Sequence, residues 1–530
     1  MAIGAKPKLQ TSHTKFSILF SVLLYVICNA ANADKLTKWF YQKDGFDYFA
    51  FGAYFLAGAC LLVFFVILLA HRWTIKPLAI LLIVCSGAIT YFISKYNVAI
   101  DTSMVRNAIH TDSTEVGQLL SAQMVPYVLF LILVPLVLIA SVRVTFEPAG
   151  RYLLASLKVA GIALLLAIAC LYLQYNDILR AGNTSKKYIL YSLVPLNFVT
   201  GTINAMAKGL RPYITPSKKD VHITGQITSK QDLVVVLAIG ESSRRKNFSV
   251  YGYERRNTTP LLAQMPDLHL LNGVATRGST LYALPKILEK DGIKLTTMVS
   301  KLGIPTSCLV NYTLYDNCEA VGEIIPKKCN HNGKCYDEDV IPLLEEQLKA
   351  YTSGYQLVVL HLGGGSHGPV YSDRYPPEFQ RFKPMCNDAD VANQCTLEQV
   401  YNAYDNTILY VDHVVGSALQ TLERARVPYV FIYLSDHGES LLEEGRMFHG
   451  VPPGIPLPPE QAQIPLIVKS SVPISIQARD EYGQPDVFDT VLNLLSIQTP
   501  MIHADGAFIN VHSAAAQLTA NEKPNSSSSN

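Results

Sequence analysis

The sequence predicts an α/β domain carried on an N-terminal bundle of five membrane-spanning helices. Three observations predict it. The apolar residues of the 530-residue chain concentrate before about residue 205, while most charges and turn residues follow. Past residue 230, short apolar β-prone runs alternate with longer mixed segments, the βα rhythm of an α/β fold. Two of those runs end in groups able to bind a metal: Leu233–Ile239 runs into Gly240-Glu241-Ser242, and Val430–Ser435 runs into Asp436-His437-Gly438. In open α/β sheets the chemistry collects just beyond the carboxyl ends of the strands.

In chain order, the first apolar run is Phe16–Ala33, preceded by Lys6, Lys8 and Lys15. Its NAANA end offers small residues for signal cleavage. A first membrane helix is the preferred reading, because more spans follow at 48–70, 76–95, 125–142 and 153–174. Each is near the ~20 apolar residues a bilayer requires. Counted from a cytoplasmic N-terminus, the basic turns at His71-Arg72…Lys76 and at Arg143, Arg151 and Lys158 both come out cytoplasmic. The loop around 96–122, with Asp101, Asp112 and Glu115, then lies outside, and so does the polar C-terminal part. Cleaving the first run leaves that outcome unchanged.

The expected domains are a transmembrane part at 1–175, interfacial linker helices at 176–230, a soluble domain at 231–513 and a tail at 514–530. In the linker, Lys186-Lys187 precedes an apolar, aromatic-bearing stretch too interrupted to span. It reads as a helix lying along the outer leaflet, with a buried helix of the soluble domain as the alternative. The soluble domain's strands are expected at Leu233–Ile239, Tyr355–Leu362, Tyr429–Ser435 and Ile464–Ser470, with a long helix over Leu397–Leu422. The tail is polar and low in complexity, so it cannot bury a core and is expected to be disordered.

Charge and cysteine usage narrow the class. A formal net charge of +2 gives no long-range field that would argue for nucleic acid or another polyanion. Cys28, Cys60, Cys85 and Cys170 sit inside apolar runs, where a thiol behaves as a small hydrophobe. The other six form close pairs, Cys308/Cys318, Cys329/Cys335 and Cys386/Cys395, which point to disulfides and an oxidising compartment. The rival is structural zinc, but no pair has C-x-x-C spacing and only His331 lies near.

Glu241, Asp436 and His437 supply two carboxylates and an imidazole, a three-ligand set for catalytic zinc with a fourth position open. Between the two strand ends, Arg277–Pro285 (RGSTLYALP) puts a glycine turn and two hydroxyls ahead of a helical pattern. That places Ser279 or Thr280 at a helix N-terminus, where backbone N–H groups stabilise an anion. A hydroxyl is a poor nucleophile at neutral pH unless a metal lowers its pKa. The plainer alternatives are helix capping by Glu241, a simple turn at Asp436-His437, and an N-cap at Ser279 or Thr280. His367, in a Gly-rich loop after Tyr355–Leu362, and His449, in Phe448-His449-Gly450, are placed to meet phosphate or a second metal.

The stretches GESSRRKNFSVYGYERRNTTPLL, STLYALP, SHGPVYSDRYPPEFQRFKP, YDNTILYVDHVV, SDHGES and FHG occur in this order. Together they closely resemble the membrane-bound phosphoethanolamine transferases of Gram-negative bacteria. That group modifies lipid A or inner-core sugars of lipopolysaccharide and includes the mobile colistin-resistance enzymes. The resemblance implies an alkaline-phosphatase/sulfatase-like soluble domain, periplasmic and zinc-dependent, on five transmembrane helices of the inner membrane. It implies a two-step reaction in which a threonine takes phosphoethanolamine from phosphatidylethanolamine, releasing diacylglycerol, and passes it to lipid A or a core sugar.

Carried over by position, the Zn2+ ligands are Glu241, Thr280, Asp436 and His437, with Thr280 the nucleophile and Ser279 second choice. One zinc is firmly bound; a second during turnover stays open. His367 and His449 match the family's phosphate-binding or second-zinc histidines. Asn107, Thr111 and Glu115, on one helical face at i, i+4 and i+8, match its lipid-headgroup contacts.

The chain departs from the family where many members flank the nucleophile with a CGT…PC disulfide. Here neither cysteine is present, and Lys286 follows the proline. Aligned on Pro285 without a gap, Gly278 would take the nucleophile's place; a short deletion keeps Thr280, and with it a hydroxyl in the metal set. The rivals are a membrane-tethered phosphoglycerol transferase or ester hydrolase of the same superfamily, and an inactive lipid-binding member. A sulfatase would need a C/S-x-P-x-R motif, and none occurs near residue 280.

Overall fold

The computed structural model describes residues 9–512 apart from 39, 43–44, 97–99, 103, 107–121, 177, 179–192, 215–223, 312–313, 330–333, 364–370, 389–390, 452–454 and 503–505. The chain divides into two compact units, residues 1–216 with 452–455, and residues 217–451 with 456–530.

In the first unit, five helices among the described residues are long and apolar enough to cross a membrane. They are α1 (His13–Ala30), α2 (Tyr48–Leu69), α3 (Ile75–Tyr96), α4 (Met124–Ser141) and α5 (Ala149–Leu173), one for each apolar run expected from the sequence. Ser12 caps α1, its hydroxyl accepting from the Lys15 N–H. Helix α2 carries no charge over 22 residues, a rise of about 33 Å at 1.5 Å each. A π-helical stretch at Val128–Leu133 interrupts α4 just before Pro135, whose ring cannot donate to the preceding turn. Ahead of α1, Leu9–Ser12 pairs in parallel with Val142–Thr145 between α4 and α5. Leu9–Ser12 and the α4–α5 turn therefore lie at the same end of the bundle. Helix α6 (Leu196–Ile214) belongs to this unit, whose core takes in Leu193, Val194 and Val199.

The second unit is built on β1 (Leu233–Gly240), β2 (His269–Val274), α7 (Thr280–Leu288), β3 (Thr306–Val310), β4 (Glu323–Ile324), β5 (Tyr355–Leu362), α8 (Leu397–Ala425), β6 (Tyr429–Ser435), β7 (Gln463–Ser470), β8 (Tyr482–Gly483) and α9 (Gln484–Leu494). Its main sheet has eight strands among the described residues, in the order β4-β3-β5-β1-β6-β7-β2-β8. Strands β3, β5, β1 and β6 are parallel, and β7 runs antiparallel to both β6 and β2. The four strands expected from sequence are present within a residue at each end. Strands β2 and β3 are additional; HLLNGV is half exposed and TSCLV is short, so neither makes an apolar run.

Side-chain alternation on β1 explains why the central strands read as continuous apolar runs. Leu233, Val235, Leu237 and Ile239 enter one core with residues of α7 and α9. Val234, Val236 and Ala238 enter a second core with residues of α8. Both faces of the sheet are covered, so neither set of alternating positions has to be polar. Helix α8 starts at a Thr396/Gln399 capping box and ends on Arg426 in the left-handed region.

The three cysteine pairs form disulfides, Cys308–Cys318, Cys329–Cys335 and Cys386–Cys395. Their sulfurs are thereby unavailable to zinc, and His331 lies outside the described residues. Cys28, Cys60, Cys85 and Cys170 are free thiols within membrane-type helices.

Candidate metal centre

Register brings the ligands together. Gly240 ends β1 opposite Leu362 of β5 and Ser435 of β6, so three parallel strands stop at one level. The Asp436 N–H then donates to the Gly240 carbonyl (2.9 Å), fastening the two outgoing chains side by side. Ser243 N–H donates to Ser435 Oγ (2.8 Å), and Ser435 Oγ donates to the His437 carbonyl (2.9 Å). Ser242 holds φ = +53°, rare for a residue with a side chain, and the sharp turn aims its N–H at Asp436 Oδ1 (3.0 Å) and its hydroxyl at Glu241 Oε1 (2.7 Å). Gly240 itself must lack a Cβ, which would run into the Tyr433 hydroxyl.

Glu241 is 4 % exposed, and Asp436 and His437 are 0 % exposed. One ligand atom from each of the three lies within 4.8 Å of the others. His437 Nε2 is 3.2 Å from Asp436 Oδ2 and 3.4 Å from Glu241 Oε1. His437 Nδ1 sits 3.0 Å from the Gly438 carbonyl, which can only accept. That contact puts the hydrogen on Nδ1 and turns the Nε2 lone pair toward the carboxylates, the orientation a metal-binding histidine needs.

Thr280 is the first residue of α7, after Ser279 in extended conformation at the N-cap. Ser279 thus holds the N-cap position expected of the plainer reading, but its hydroxyl makes no capping bond. The Thr280 hydroxyl instead donates to Glu241 Oε2 (2.8 Å) and lies 3.5 Å from His437 Nε2. It is half-buried, whereas the three groups behind it are sealed from solvent. The constellation is a buried pair of acids and an imidazole with one hydroxyl at its mouth.

Its electrostatics call for a cation. Burial and the neighbouring Glu241 push the Asp436 carboxyl well above its ordinary range. Asp436 Oδ2 is buried and accepts no hydrogen bond among the described residues, whereas Oδ1 accepts from the Ser242 and His437 N–H groups. Two adjacent buried carboxylates destabilise the fold unless a positive charge is placed between them. A divalent ion removes that penalty and keeps both ionised. The residues present therefore fit zinc, as two oxygen donors, one nitrogen donor and a hydroxyl.

Residues the sequence reading did not single out complete the surroundings. Glu439 is fully buried; its carboxyl lies 2.8 Å from His449 Nδ1 and accepts from the Tyr371 hydroxyl (3.4 Å). Burial, then Glu241, raises its pKa well above the usual carboxylate range. His449 lies with its ring centroid 4.3 Å from that of His437, and His437, Glu439 and His449 form a second set of ligand atoms within 4.8 Å.

Arg244, also fully buried, donates to the Glu439 carbonyl (3.3 Å) and to Glu443 Oε1 (2.6 Å) between the rings of Tyr401 and Tyr404. Burial opposes its charge, but Glu443 more than offsets this and holds the guanidinium protonated. Both residues stood in the quoted motifs, GESSR and SDHGES; their roles come from tertiary neighbours that spacing does not reveal. His367, Asn107, Thr111 and Glu115 lie outside the described residues.

The chain as a whole is similar to known proteins. A family model described as phosphoethanolamine transferase EptA/EptB matches residues 58–210, and a sulfatase model matches residues 280–497. The phosphoethanolamine transferase EptA of Helicobacter pylori is 31% identical over 461 residues, covering 81% of this chain and 83% of its own. The phosphatidylethanolamine transferase Mcr-1 of Escherichia coli is 28% identical over 529 residues, covering 92% and 96%. Among solved structures, the integral membrane lipooligosaccharide phosphoethanolamine transferase A of Neisseria meningitidis matches with a TM-score of 0.80 at 26% identity, over 94% of this chain and 98% of that one. The second unit is thus a sulfatase-like α/β domain, in line with the fold expected from sequence.

Proposed function

The chain belongs to the phosphoethanolamine transferase family, and from that premise we propose that it moves phosphoethanolamine from phosphatidylethanolamine to lipid A or a core sugar of lipopolysaccharide. The carrying observation is the Thr280 hydroxyl, 2.8 Å from Glu241 Oε2 at the mouth of the buried Glu241, Asp436 and His437 group. In this reading the second unit faces the periplasm, an oxidising compartment that suits its three disulfides.

Glu241, Asp436, His437 and the Thr280 hydroxyl would hold zinc, which when bound lowers the pKa of the hydroxyl and polarises a phosphoryl oxygen. In the first step a Thr280 Oγ–P bond forms and the bond from phosphorus to the diacylglycerol oxygen breaks. The Thr280 proton has an acceptor in place at Glu241 Oε2. The departing oxygen takes a proton from the histidine side of the site, where Glu439 holds His449. In the second step an acceptor oxygen attacks phosphorus, the Thr280 Oγ–P bond breaks, and the hydroxyl is restored. Two displacements at one nucleophile replace a direct encounter of two lipids.

Mass spectrometry of lipid A and core oligosaccharide from cells with and without the protein tests this reading. A gain of one phosphoethanolamine is expected, and its attachment point identifies the acceptor. Unchanged lipid A and core would contradict it.

A further inference from the structure

At the end of the bundle that carries Leu9–Ser12, a cavity of about 380 Å³ opens between the α2–α3 turn and the strand that follows α4. Arg72, Lys76 and Arg143 line it, with Ile75, Val144 and Phe146 as its apolar wall. None of the three cations pairs with a carboxylate among the described residues; Arg72 instead lies 4.8 Å from the ring of Trp73, itself 71% exposed. Beside it runs a second cavity of about 250 Å³, between α1 and α4 and walled almost wholly by apolar side chains such as Phe16, Leu23, Leu131 and Leu138. Val142 lines both cavities.

We propose that these two cavities form one binding site for a phospholipid with an anionic headgroup, its phosphate among Arg72, Lys76 and Arg143 and an acyl chain in the α1–α4 groove. The site lies within the first unit and does not depend on the reaction assigned to the second. Three cations in one cavity, with no carboxylate partner among the described residues, repel each other, and a phosphate-bearing group relieves that repulsion. A water-soluble phosphate would occupy only the basic half, whereas a lipid occupies both halves, meeting at Val142. The end of the bundle is the one the positive-inside rule assigns to the cytoplasm, and an exposed Trp at the membrane–water boundary is a usual interfacial anchor. A basic pocket between membrane helices on that side is the kind that holds anionic lipid headgroups. The site would tie the bundle to lipids of the leaflet opposite the reaction.

The test uses the full chain purified in detergent, with binding followed by native mass spectrometry. The probes are palmitoyl-oleoyl phosphatidylglycerol, phosphatidylcholine with the same chains, and inorganic phosphate. Wild type is expected to prefer phosphatidylglycerol by at least about tenfold. Each cation contributes about fivefold near a membrane surface, so Lys76→Gln should lose about that much and the Arg72→Gln/Lys76→Gln/Arg143→Gln variant essentially all the preference. Leu138→Trp, which fills the groove, should weaken both lipids and leave phosphate binding unchanged. Equal retention of the two lipids by wild type, or an unaltered preference in Lys76→Gln, would overturn the proposal. So would inorganic phosphate binding as tightly as phosphatidylglycerol, which would make the cavity an anion site without a lipid.

Discussion

Thr280 shows how little separates an ordinary helix start from the nucleophile proposed here. Its backbone begins α7 as any N-terminal residue would, yet its hydroxyl is turned away from capping and toward Glu241. Thr280→Ala should lower transfer by at least about 10³-fold, whereas Thr280→Ser, which keeps an oxygen, should retain measurable transfer. Equal rates for Thr280→Ala and wild type would remove this residue from the chemistry.

A second residue-scale prediction concerns Asp412 of α8, which accepts from the Leu261 and Leu262 N–H groups (2.9 Å each). Burial outweighs those bonds and pushes Asp412 up to about 6. Folding thus favours its protonated form; the stability it lends is fully present below about pH 4, the unfolded value, and is lost as pH rises through about 6. Asp412→Asn cannot titrate. The stability of the variant relative to wild type should therefore rise between pH 4 and 7, by up to about 3 kcal/mol. Parallel melting curves across that range would contradict the assignment.

At the scale of elements, the site depends on how strand ends are turned. The hydrogen bond from Gly438 N–H to the Gln461 carbonyl (2.9 Å) presses the loop after β6 against the chain entering β7. A Cβ on Gly438 would run into the Glu460 carbonyl oxygen, which is backbone and cannot swing aside. Gly438→Ala should therefore shift His437 and reduce zinc retained after dialysis, with helix content preserved; full zinc retention would show that the loop can yield. The Cys386–Cys395 bridge ties the segment before α8 to the helix start, and its removal by Cys386→Ser/Cys395→Ser should cost the second unit about 2–5 kcal/mol. An unchanged urea midpoint would contradict that.

The same scale shows what was legible in the sequence. Central strands β1, β5, β6 and β7 announce themselves because both faces are buried, and Glu241, Asp436 and His437 because they follow such strands directly. Strands β2 and β3 do not, and neither do Arg244 and Glu439. Arg244 is defined by Tyr401, Tyr404 and Glu443, some 160 to 200 residues away, and Glu439 by Tyr371 and His449. Partners brought together only by the folded chain leave no local pattern.

For the whole molecule, the membrane helices and the α/β unit divide the work that one lipid-modifying reaction needs: residence in the bilayer, and a sealed site with a reactive hydroxyl. The account stands on that hydroxyl and on the zinc proposed to sit behind it. The most direct test incubates the zinc-loaded full chain with phosphatidylethanolamine isotopically labelled in its headgroup, without acceptor, and maps the label by peptide mass spectrometry. The account predicts one phosphoethanolamine on Thr280, absent after zinc is chelated and restored when zinc returns. Labelling at another residue, or none in zinc-replete protein that still modifies lipid A, would contradict it.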